Sequence, residues 1–457
     1  MKKVLRGITA TVCAILTATT FVACQKEISA YEIAVKNGFV GTEAEWLASL
    51  HGANGEDGED MDVQKLYQAA KENGYQGEFL DFIKELNIQV NEDNAVPTIA
   101  KNVMSVVSIY CGFSKTQQVG GFWNGTKNET TYYASAGAGV IIDLNKQAGN
   151  AWIVTNYHVI YDASGDVKGI SDNIYAYTYG ALNLFDPEKG DVNGDGMKAT
   201  YVGGAMDYDI ALLKVEGKVE ELASAEVATP ADSDEVSIGE KVFAIGNPDG
   251  AGIAVTEGVI SVESEYIEMS ATDGAHRAVD YRVMRTDAAI NHGNSGGALF
   301  NAKGELIGIT NAKNVNDEVD NMGYALPITP VKYLCQNIVD NGGVVKRAML
   351  GVKVSTVSSS AKIGADGKIR ITEEFTVADA VSIKDAAYGK LNAGDVLLGM
   401  QINDGERVRF TRQYQLSDML LTVRKGDVVK LTIRNLDGME TTVEIRFDKD
   451  AYFTTYA

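Results

Sequence analysis

The sequence predicts a mostly β protein whose main part is an all-β barrel or sandwich, and two observations carry that prediction. From residue 99 onward, short β-branched runs alternate with glycine, which is typical of strands joined by tight turns. The 457 residues include 47 glycines but only 6 prolines, a composition that indicates a folded, loop-rich chain. The strands predicted in this part are Val103–Tyr110, Gly139–Ile142, Trp152–Thr155, Ile210–Val215, Val242–Ile245 and Leu306–Thr310.

A second, smaller domain is predicted after a helix at Pro330–Asp340 and a break at Gly342-Gly343. Its strands are expected at Gly351–Val357, Asp395–Ile402, Val428–Arg434 and Thr441–Arg446. One helix is expected among them, because apolar residues recur at the i, i+3, i+4, i+7 spacing of a single helical face. The residues on that face are Leu416, Met419, Leu420 and Val423.

The N-terminal residues 1–23 are predicted to be a secretory signal peptide, since a basic start precedes an uncharged stretch from Ile8 to Ala23. That stretch is shorter than the roughly 20 apolar residues that a membrane-spanning helix requires. Ala23 followed by Cys24 resembles a bacterial lipobox, which implies acylation of Cys24 and a lipid anchor in the cell membrane. A plain secreted protein is the alternative.

Residues 24–95 are predicted to form a separate helical spacer or cell-surface module. Tyr31–Leu50 matches Tyr67–Leu86, and each copy contains an Asn-Gly pair that would end a first helix before a second one begins. A triplet glycine repeat lies between the copies, but it is too short and too poor in proline for a collagen helix. No residue of this module suggests chemistry.

Charge and cysteine content exclude several classes of function. The formal net charge of −21 argues against nucleic acid as a partner, because phosphate binding requires a basic face. Of the four cysteines, only Cys111 and Cys335 belong to the predicted folded domains, and both have apolar neighbours typical of small buried side chains. Asp191–Gly196 matches half of a calcium loop but lacks the closing acid, so a surface turn is favoured. We therefore predict no metal site and no cofactor.

The turn Gly293-Asn294-Ser295-Gly296-Gly297 is the candidate for a serine nucleophile. A hydroxyl attacks a carbonyl at neutral pH only with a nearby base, a carboxylate that orients the base, and N–H donors for the oxyanion. Glycines on both sides leave room for an acyl group, and the amides of Gly293 and Ser295 could converge on one point. The sequence therefore predicts Ser295 as nucleophile and these two amides as an oxyanion hole.

His158 is the predicted base and Asp209 the predicted orienting carboxylate. His158 follows the apolar run Trp152–Thr155 at a strand-to-loop edge, and Asp209 precedes the apolar run Ile210–Val215. His292 is a rival base that would flank the site more readily than serve it. Asp207 and Asp287 are the rival carboxylates. The chain order His, Asp, Ser is that of the chymotrypsin clan.

Five motifs between residues 99 and 340 resemble the HtrA/Deg serine proteases in order and spacing. They begin at Thr155, Tyr208, Gly239, Thr256 and Arg285, and three of them contain His158, Asp209 and Ser295. The resemblance implies a chymotrypsin-like double β-barrel over residues 96–345 and endopeptidase activity on unfolded or envelope polypeptides. It also implies an extracytoplasmic location and a homotrimer. A chaperone that holds clients with little turnover is the alternative function.

The same resemblance implies a specificity pocket without a charged base. In trypsin-like folds the residue six positions before the nucleophile lies at the pocket base, and here it is Ala289. The pocket wall would be Thr310, Asn311 and Ala312. Cleavage after small or medium aliphatic residues is therefore expected.

Residues 346–450 resemble a PDZ domain. The loop Met349-Leu350-Gly351-Val352 is similar to the loop whose amides bind a peptide's terminal carboxylate, and residues 386–397 resemble the Gly-Leu-x-x-Gly-Asp stretch of these domains. Residues 416–423 would form the helix of the groove. The resemblance implies capture of peptide C-termini by strand addition, with a PDZ-like fold that binds no peptide as the alternative.

Overall fold

The computed structural model describes residues 96–119, 127–166, 169–272, 277–311, 322–379 and 381–456, together with Lys71. The chain falls into two compact units, residues 1–94 and 95–457, and all of the described residues except Lys71 belong to the second unit. The signal peptide, Cys24 and the predicted helical repeats lie outside the described residues. In the part that is described, no helix combines the length and hydropathy needed to cross a bilayer.

The first half of the second unit is built on a seven-stranded sheet with the strand order β10-β11-β3-β2-β1-β6-β9. A short helix, α1, precedes it, and a one-turn helix, α2, follows β3. The helices are α1 (Val96–Val103) and α2 (Tyr157–Ile160). The strands of this half are β1 (Val106–Val119), β2 (Lys127–Asn145), β3 (Asn150–Thr155), β4 (Tyr161–Asp162), β5 (Gly169–Ile170), β6 (Ile174–Tyr177), β7 (Phe185–Asp186), β8 (Gly190–Asp191), β9 (Met197–Lys198), β10 (Thr200–Ala205) and β11 (Ile210–Val215).

Strand β11 shows why its sequence is a continuous apolar run. Side chains alternate between the two faces of a strand. Ile210 and Leu212 enter a core shared with the second half of this unit, whereas Ala211 and Leu213 enter the core of the seven-stranded sheet. Both faces are buried, so a polar residue would be costly at any of these four positions. The predicted bounds of this strand are confirmed.

The second half is a closed barrel with the strand order β12-β13-β14-β17-β16-β15 and its own apolar core. Helix α3 (Ile328–Asp340) follows it and packs its Val331, Leu334 and Ile338 into the core shared by the two halves. The strands are β12 (Lys241–Gly246), β13 (Ala254–Ser270), β14 (Ala278–Thr286), β15 (Ala298–Asn301), β16 (Leu306–Asn311) and β17 (Gly323–Pro327).

The C-terminal part has a separate apolar core and a sheet with the order β19-β20-β21-β23-β24, to which β22 adds. Strands β18 and β25 pair with each other, so the predicted boundary between residues 345 and 346 falls inside a strand. The elements are β18 (Val345–Ala348), β19 (Val354–Ile363), β20 (Ile369–Val377), β21 (Val396–Ile402), β22 (Val408–Arg409), α4 (Tyr414–Met419), β23 (Val428–Arg434), β24 (Glu440–Arg446) and β25 (Phe453–Tyr456).

Two predicted elements of this part differ from the structure. The helix expected over residues 416–423 ends at Met419, because the amides of Leu421 and Thr422 bond three residues back and tighten the last turn. The strand expected from Gly351 begins at Val354, since Gly351 adopts the left-handed φ of 75° that a strand excludes. The helical pattern marks burial correctly, since Leu416, Leu420 and Val423 are buried, whereas Val357 of the strand is exposed.

A buried arginine forms an ion pair between the closed barrel and the C-terminal part. Arg282 of β14 pairs with Asp418 of α4 and lies 2.7 Å from an oxygen of Asp234. Its guanidinium carbon stands 3.3 Å above the centre of the Tyr414 ring. Burial raises the pKa of Asp418 from 3.8 to about 6, the neighbouring Arg282 lowers it, and the charge of Asp234 adds to the rise.

Asp418 gives the first testable prediction, a loss of stability with rising pH. Unfolded Asp418 ionises near pH 4 and folded Asp418 near pH 6, so between these values the folded state holds the extra proton. The free energy of unfolding therefore falls as pH rises through this window, and the total loss is about 3 kcal/mol once pH exceeds the folded-state pKa. Asp418→Asn removes this loss, and its unfolding free energy in urea should gain on the wild type between pH 4 and 7. Parallel pH profiles for the two proteins would contradict the assignment.

Candidate active site

Asp209 is placed by a left-handed turn at the start of β11. It caps the 3₁₀ turn Met206–Tyr208 with φ 51° and ψ 39°, a conformation that aspartate tolerates better than most residues. Its N–H donates to the carbonyl of Met206 at 3.1 Å. The residue is fully buried, so its carboxylate requires donors from the protein.

Three donors meet the Asp209 carboxylate. The Nδ1 of His158 lies 2.7 Å from Oδ2, and the His158 backbone N–H donates to Oδ1 at 3.0 Å. The Nδ2 of Asn311 donates to Oδ2 at 2.9 Å. Since Nδ1 of His158 is engaged by the carboxylate, Nε2 is the ring nitrogen left for another partner. The imidazole is about one fifth exposed, which leaves it accessible from solvent.

Asn156 connects helix α2, which contains His158, to the turn formed by residues 292–297. We name this turn the serine turn. Its side chain is fully buried, donates from Nδ2 to the Asp209 carbonyl at 2.9 Å, and accepts the Gly296 N–H at 2.7 Å. One amide thereby fixes the residue after Ser295 and the backbone of Asp209 on either side of itself. Sequence reasoning did not assign a role to Asn156, although a polar residue at the end of a buried strand was a usable signal.

The serine turn is held on strand β2. The Ala138 N–H donates to the Ser295 carbonyl at 2.8 Å, and the Gly296 N–H also donates to the Thr310 carbonyl at 2.9 Å. Gly293 and Gly296 adopt φ of 87° and 80°, which favours glycine at both positions. A Cβ on Gly296 would overlap Ala138 and Thr155, so this turn can approach the strands only without a side chain.

Two of the predicted pocket residues bond to the site itself. Thr310 is buried, and its hydroxyl donates to the Asn294 carbonyl at 2.6 Å. Asn311 directs its amide to Asp209 as described above. Ala289 is exposed and its carbonyl accepts from the Thr256 hydroxyl at 3.0 Å. Ala312 lies outside the described residues, and the specificity pocket stays a prediction.

The rival residues have other partners. Asp207 pairs with Arg277 at the surface, and Asp287 accepts the Val259 N–H at 2.6 Å. His292 is exposed, and its carbonyl accepts the Asp249 N–H. Among these candidates, Asp209 and His158 are the acid and imidazole that the structure brings together.

The remaining chemical candidates are Asp191 and the two cysteines of the described chain. Both oxygens of Asp191 accept backbone amides, from Gly194 at 2.6 Å and Gly196 at 2.7 Å, as in a turn. No group of three or more His, Cys, Asp or Glu side chains in the described ranges is arranged to hold a metal ion. Cys111 and Cys335 are buried, and burial raises the pKa of the Cys335 thiol to about 12.

Comparison with known proteins shows which proteins this chain is similar to. The family model of a trypsin-like peptidase domain matches residues 137–309. A serine protease Do-like HtrA from Lactococcus lactis subsp. lactis is 29% identical over 80% of this chain and 84% of the relative. A serine protease Do-like HtrB from Bacillus subtilis is 34% identical over 73% of this chain and 69% of the relative. A solved structure of the HtrA-type protease AlgW with a decapeptide covers 80% of this chain and 99% of its own, at 22% identity and a TM-score of 0.49.

The protein is accordingly a serine endopeptidase with a mostly β, trypsin-like fold, as the sequence predicted. The chain belongs to the HtrA/Do-like serine protease family.

Proposed function

We propose that this protein is an extracytoplasmic endopeptidase that cleaves unfolded polypeptides with a triad of Ser295, His158 and Asp209. The observation that carries the proposal is the contact between His158 Nδ1 and Asp209 Oδ2 at 2.7 Å, in which the Asp209 side chain is fully buried. That contact sets the tautomer in which Nε2 can accept a proton from a hydroxyl. The serine turn packs on Asn156 and Thr155, which come shortly before His158 in the chain.

The proposed chemistry uses these three side chains and two backbone amides. Ser295 Oγ attacks the scissile carbonyl while His158 Nε2 takes its proton, and the carbonyl π electrons move to oxygen. The Gly293 and Ser295 amides stabilise that oxyanion, and Asp209 stabilises the imidazolium. The intermediate collapses, the C–N bond breaks, and His158 gives the proton to the leaving amine. A water then attacks the acyl carbon as His158 takes its proton, and when the bond from that carbon to Ser295 Oγ breaks, His158 returns the proton to Ser295.

An extracytoplasmic location is part of the proposal. The N-terminal sequence resembles a lipoprotein signal with Cys24 as its acylation site. Two relatives, from Escherichia coli and Salmonella typhimurium, are named periplasmic serine endoprotease DegP. Membrane attachment through Cys24 and assembly as a homotrimer complete the proposal on the strength of the family resemblance.

We further propose that the C-terminal part acts as a PDZ domain for peptide C-termini. Strand β19 lies at the edge of its sheet, where an added peptide strand could pair. The loop Met349–Val352 precedes that strand and turns through the left-handed Gly351. Leu416 of α4 and Leu350 of the loop share one apolar core, so the groove helix and the loop belong to one packed unit.

The test of the proposed triad is covalent labelling. A phosphonofluoridate probe should phosphonylate one residue, and peptide mapping should place the adduct on Ser295. His158→Ala should slow labelling at least about 100-fold, because the base no longer removes the serine proton. His292→Ala, the matched control, should label at the wild-type rate. An adduct on another residue, or labelling that does not depend on His158, would contradict the triad.

A further inference from the structure

The turn after strand β12, residues 247–252, hydrogen-bonds to His292 and Gly293, and we name it the bracing turn. It begins with the buried Asn247 and contains the 3₁₀ turn Pro248–Gly250. The sequence patterns assigned it no function. The inference drawn from it rests on the proposed function of Ser295 and deepens it.

Two consecutive carbonyls of the serine turn are held by the bracing turn. The Asp249 N–H donates to the His292 carbonyl at 2.8 Å, and the Asn247 N–H donates to the Gly293 carbonyl at 3.3 Å. A Cβ on Gly293 would overlap the Asn247 carbonyl, which shows how closely the two backbones approach.

The bond to His292 fixes the direction of the Gly293 N–H. In a trans peptide the carbonyl and the following N–H point in opposite directions. Because the His292 carbonyl points at Asp249, the Gly293 N–H of the same peptide points away from the bracing turn. Among the described residues, no acceptor takes that N–H. It is one of the two donors of the proposed oxyanion hole.

The bracing turn is itself anchored to the strand that holds Ser295. Asn247 donates from Nδ2 to the Gly137 carbonyl of β2 at 3.1 Å and accepts the Gly252 N–H at 2.8 Å. The Tyr110 hydroxyl of β1 donates to the Gly250 carbonyl at 2.7 Å. The N–H of Ala138, the next residue of β2, donates to the Ser295 carbonyl. The bracing turn and Ser295 are therefore both hydrogen-bonded to β2.

Asp249 reaches its position through an unusual backbone. Its φ is 52°, in the left-handed region that most side chains disfavour and that aspartate, asparagine and glycine tolerate. Its side chain is exposed, and the bond to the serine turn comes from its backbone N–H. The identity of this residue therefore acts through the backbone.

We propose that Asp249 is a positioning residue for the oxyanion hole. Its left-handed backbone aims its N–H at the His292 carbonyl, and this bond turns the Gly293 N–H toward the reacting carbonyl. A residue that cannot hold φ near 52° releases the 292–293 peptide and removes one oxyanion donor.

The test compares Asp249→Val with Asn403→Val. Asn403 also has φ 52° but lies in the C-terminal part, where its side chain makes two hydrogen bonds, so its replacement is at least as disruptive locally. Loss of one oxyanion donor lowers kcat by roughly 100- to 1,000-fold with KM unchanged. We expect this for Asp249→Val, a matching rise in the inhibition constant of a peptide boronate, and less than about a threefold change in kcat for Asn403→Val. Asp249→Gly should regain the lost kcat, since glycine adopts this φ freely.

Equal losses in the two valine variants, or a loss confined to KM, would overturn the proposal. If Asp249→Val does not fold, Asp249→Ala and Asn403→Ala carry the same comparison with less strain. Phosphonofluoridate labelling of the wild type separates this outcome from failure of the triad. If the wild type labels at Ser295 and Asp249→Val keeps the wild-type kcat, only the positioning role of Asp249 is refuted.

Discussion

Ser295→Ala should abolish proteolysis, with kcat on casein or a peptide substrate falling roughly 10⁵- to 10⁶-fold. The change removes the hydroxyl that forms the acyl-enzyme and leaves every other group of the site in place. The bonds that hold the turn use the Ser295 carbonyl and the Gly296 amide, which alanine retains. Substrate binding should persist, because the substitution leaves the proposed pocket and the proposed C-terminal groove unchanged.

Ser261→Ala is the matched control for this substitution. Ser261 is exposed on β13 and belongs to neither the serine turn nor the bracing turn. Its replacement should leave kcat and the urea midpoint at wild-type values. Casein cleavage by Ser295→Ala at more than about a hundredth of the wild-type rate would refute Ser295 as nucleophile. Protection of unfolded clients by this variant would reveal a holding activity alongside proteolysis.

The fold was predictable wherever burial imposed a pattern. Ile210–Val215 has the predicted bounds because both faces of β11 are buried, and helix α3 was found within two residues of its start. Strand β1 was predicted only to Tyr110 but continues to Val119, since its last residues are exposed and carry no alternation. Helix α1 was missed, and it includes Val103, which was assigned to the following strand.

The proposed triad came from the sequence for a different reason. Ser295, His158 and Asp209 each lie in a motif that resembles a known family, so the roles proposed for them did not depend on coordinates. Asn156 and Asn247 lie within such motifs and Asn311 was predicted as part of the pocket wall, yet their bonds join segments 53 to 140 residues apart. Such contacts depend on how the seven-stranded sheet packs on the closed barrel, which single-sequence patterns do not specify.

Asp209→Asn should lower kcat about 10⁴-fold, because this side chain accepts from His158 and Asn311, and an amide cannot accept at both of its ends. Asparagine tolerates the left-handed φ of 51°, so the backbone is not the cause. An amide nitrogen at the Oδ1 position would face the His158 N–H, two donors against each other. At the Oδ2 position the amide nitrogen would donate to His158 Nδ1, and the ring proton would then lie on Nε2. A protonated Nε2 can no longer accept the proton of Ser295.

Asp207→Asn controls for this change, because it is the same substitution two residues away on an acid that pairs with Arg277 at the surface. We expect its kcat to stay within about threefold of the wild type. Labelling of Ser295 by a phosphonofluoridate should slow in Asp209→Asn in parallel with kcat, while KM stays constant, since the acid acts on the base and not on substrate binding. A loss smaller than about tenfold in Asp209→Asn would mean that another group orients His158. Asn311 also donates to this carboxylate, so Asn311→Ala would then test whether the Asn311 amide keeps the imidazole in its orientation.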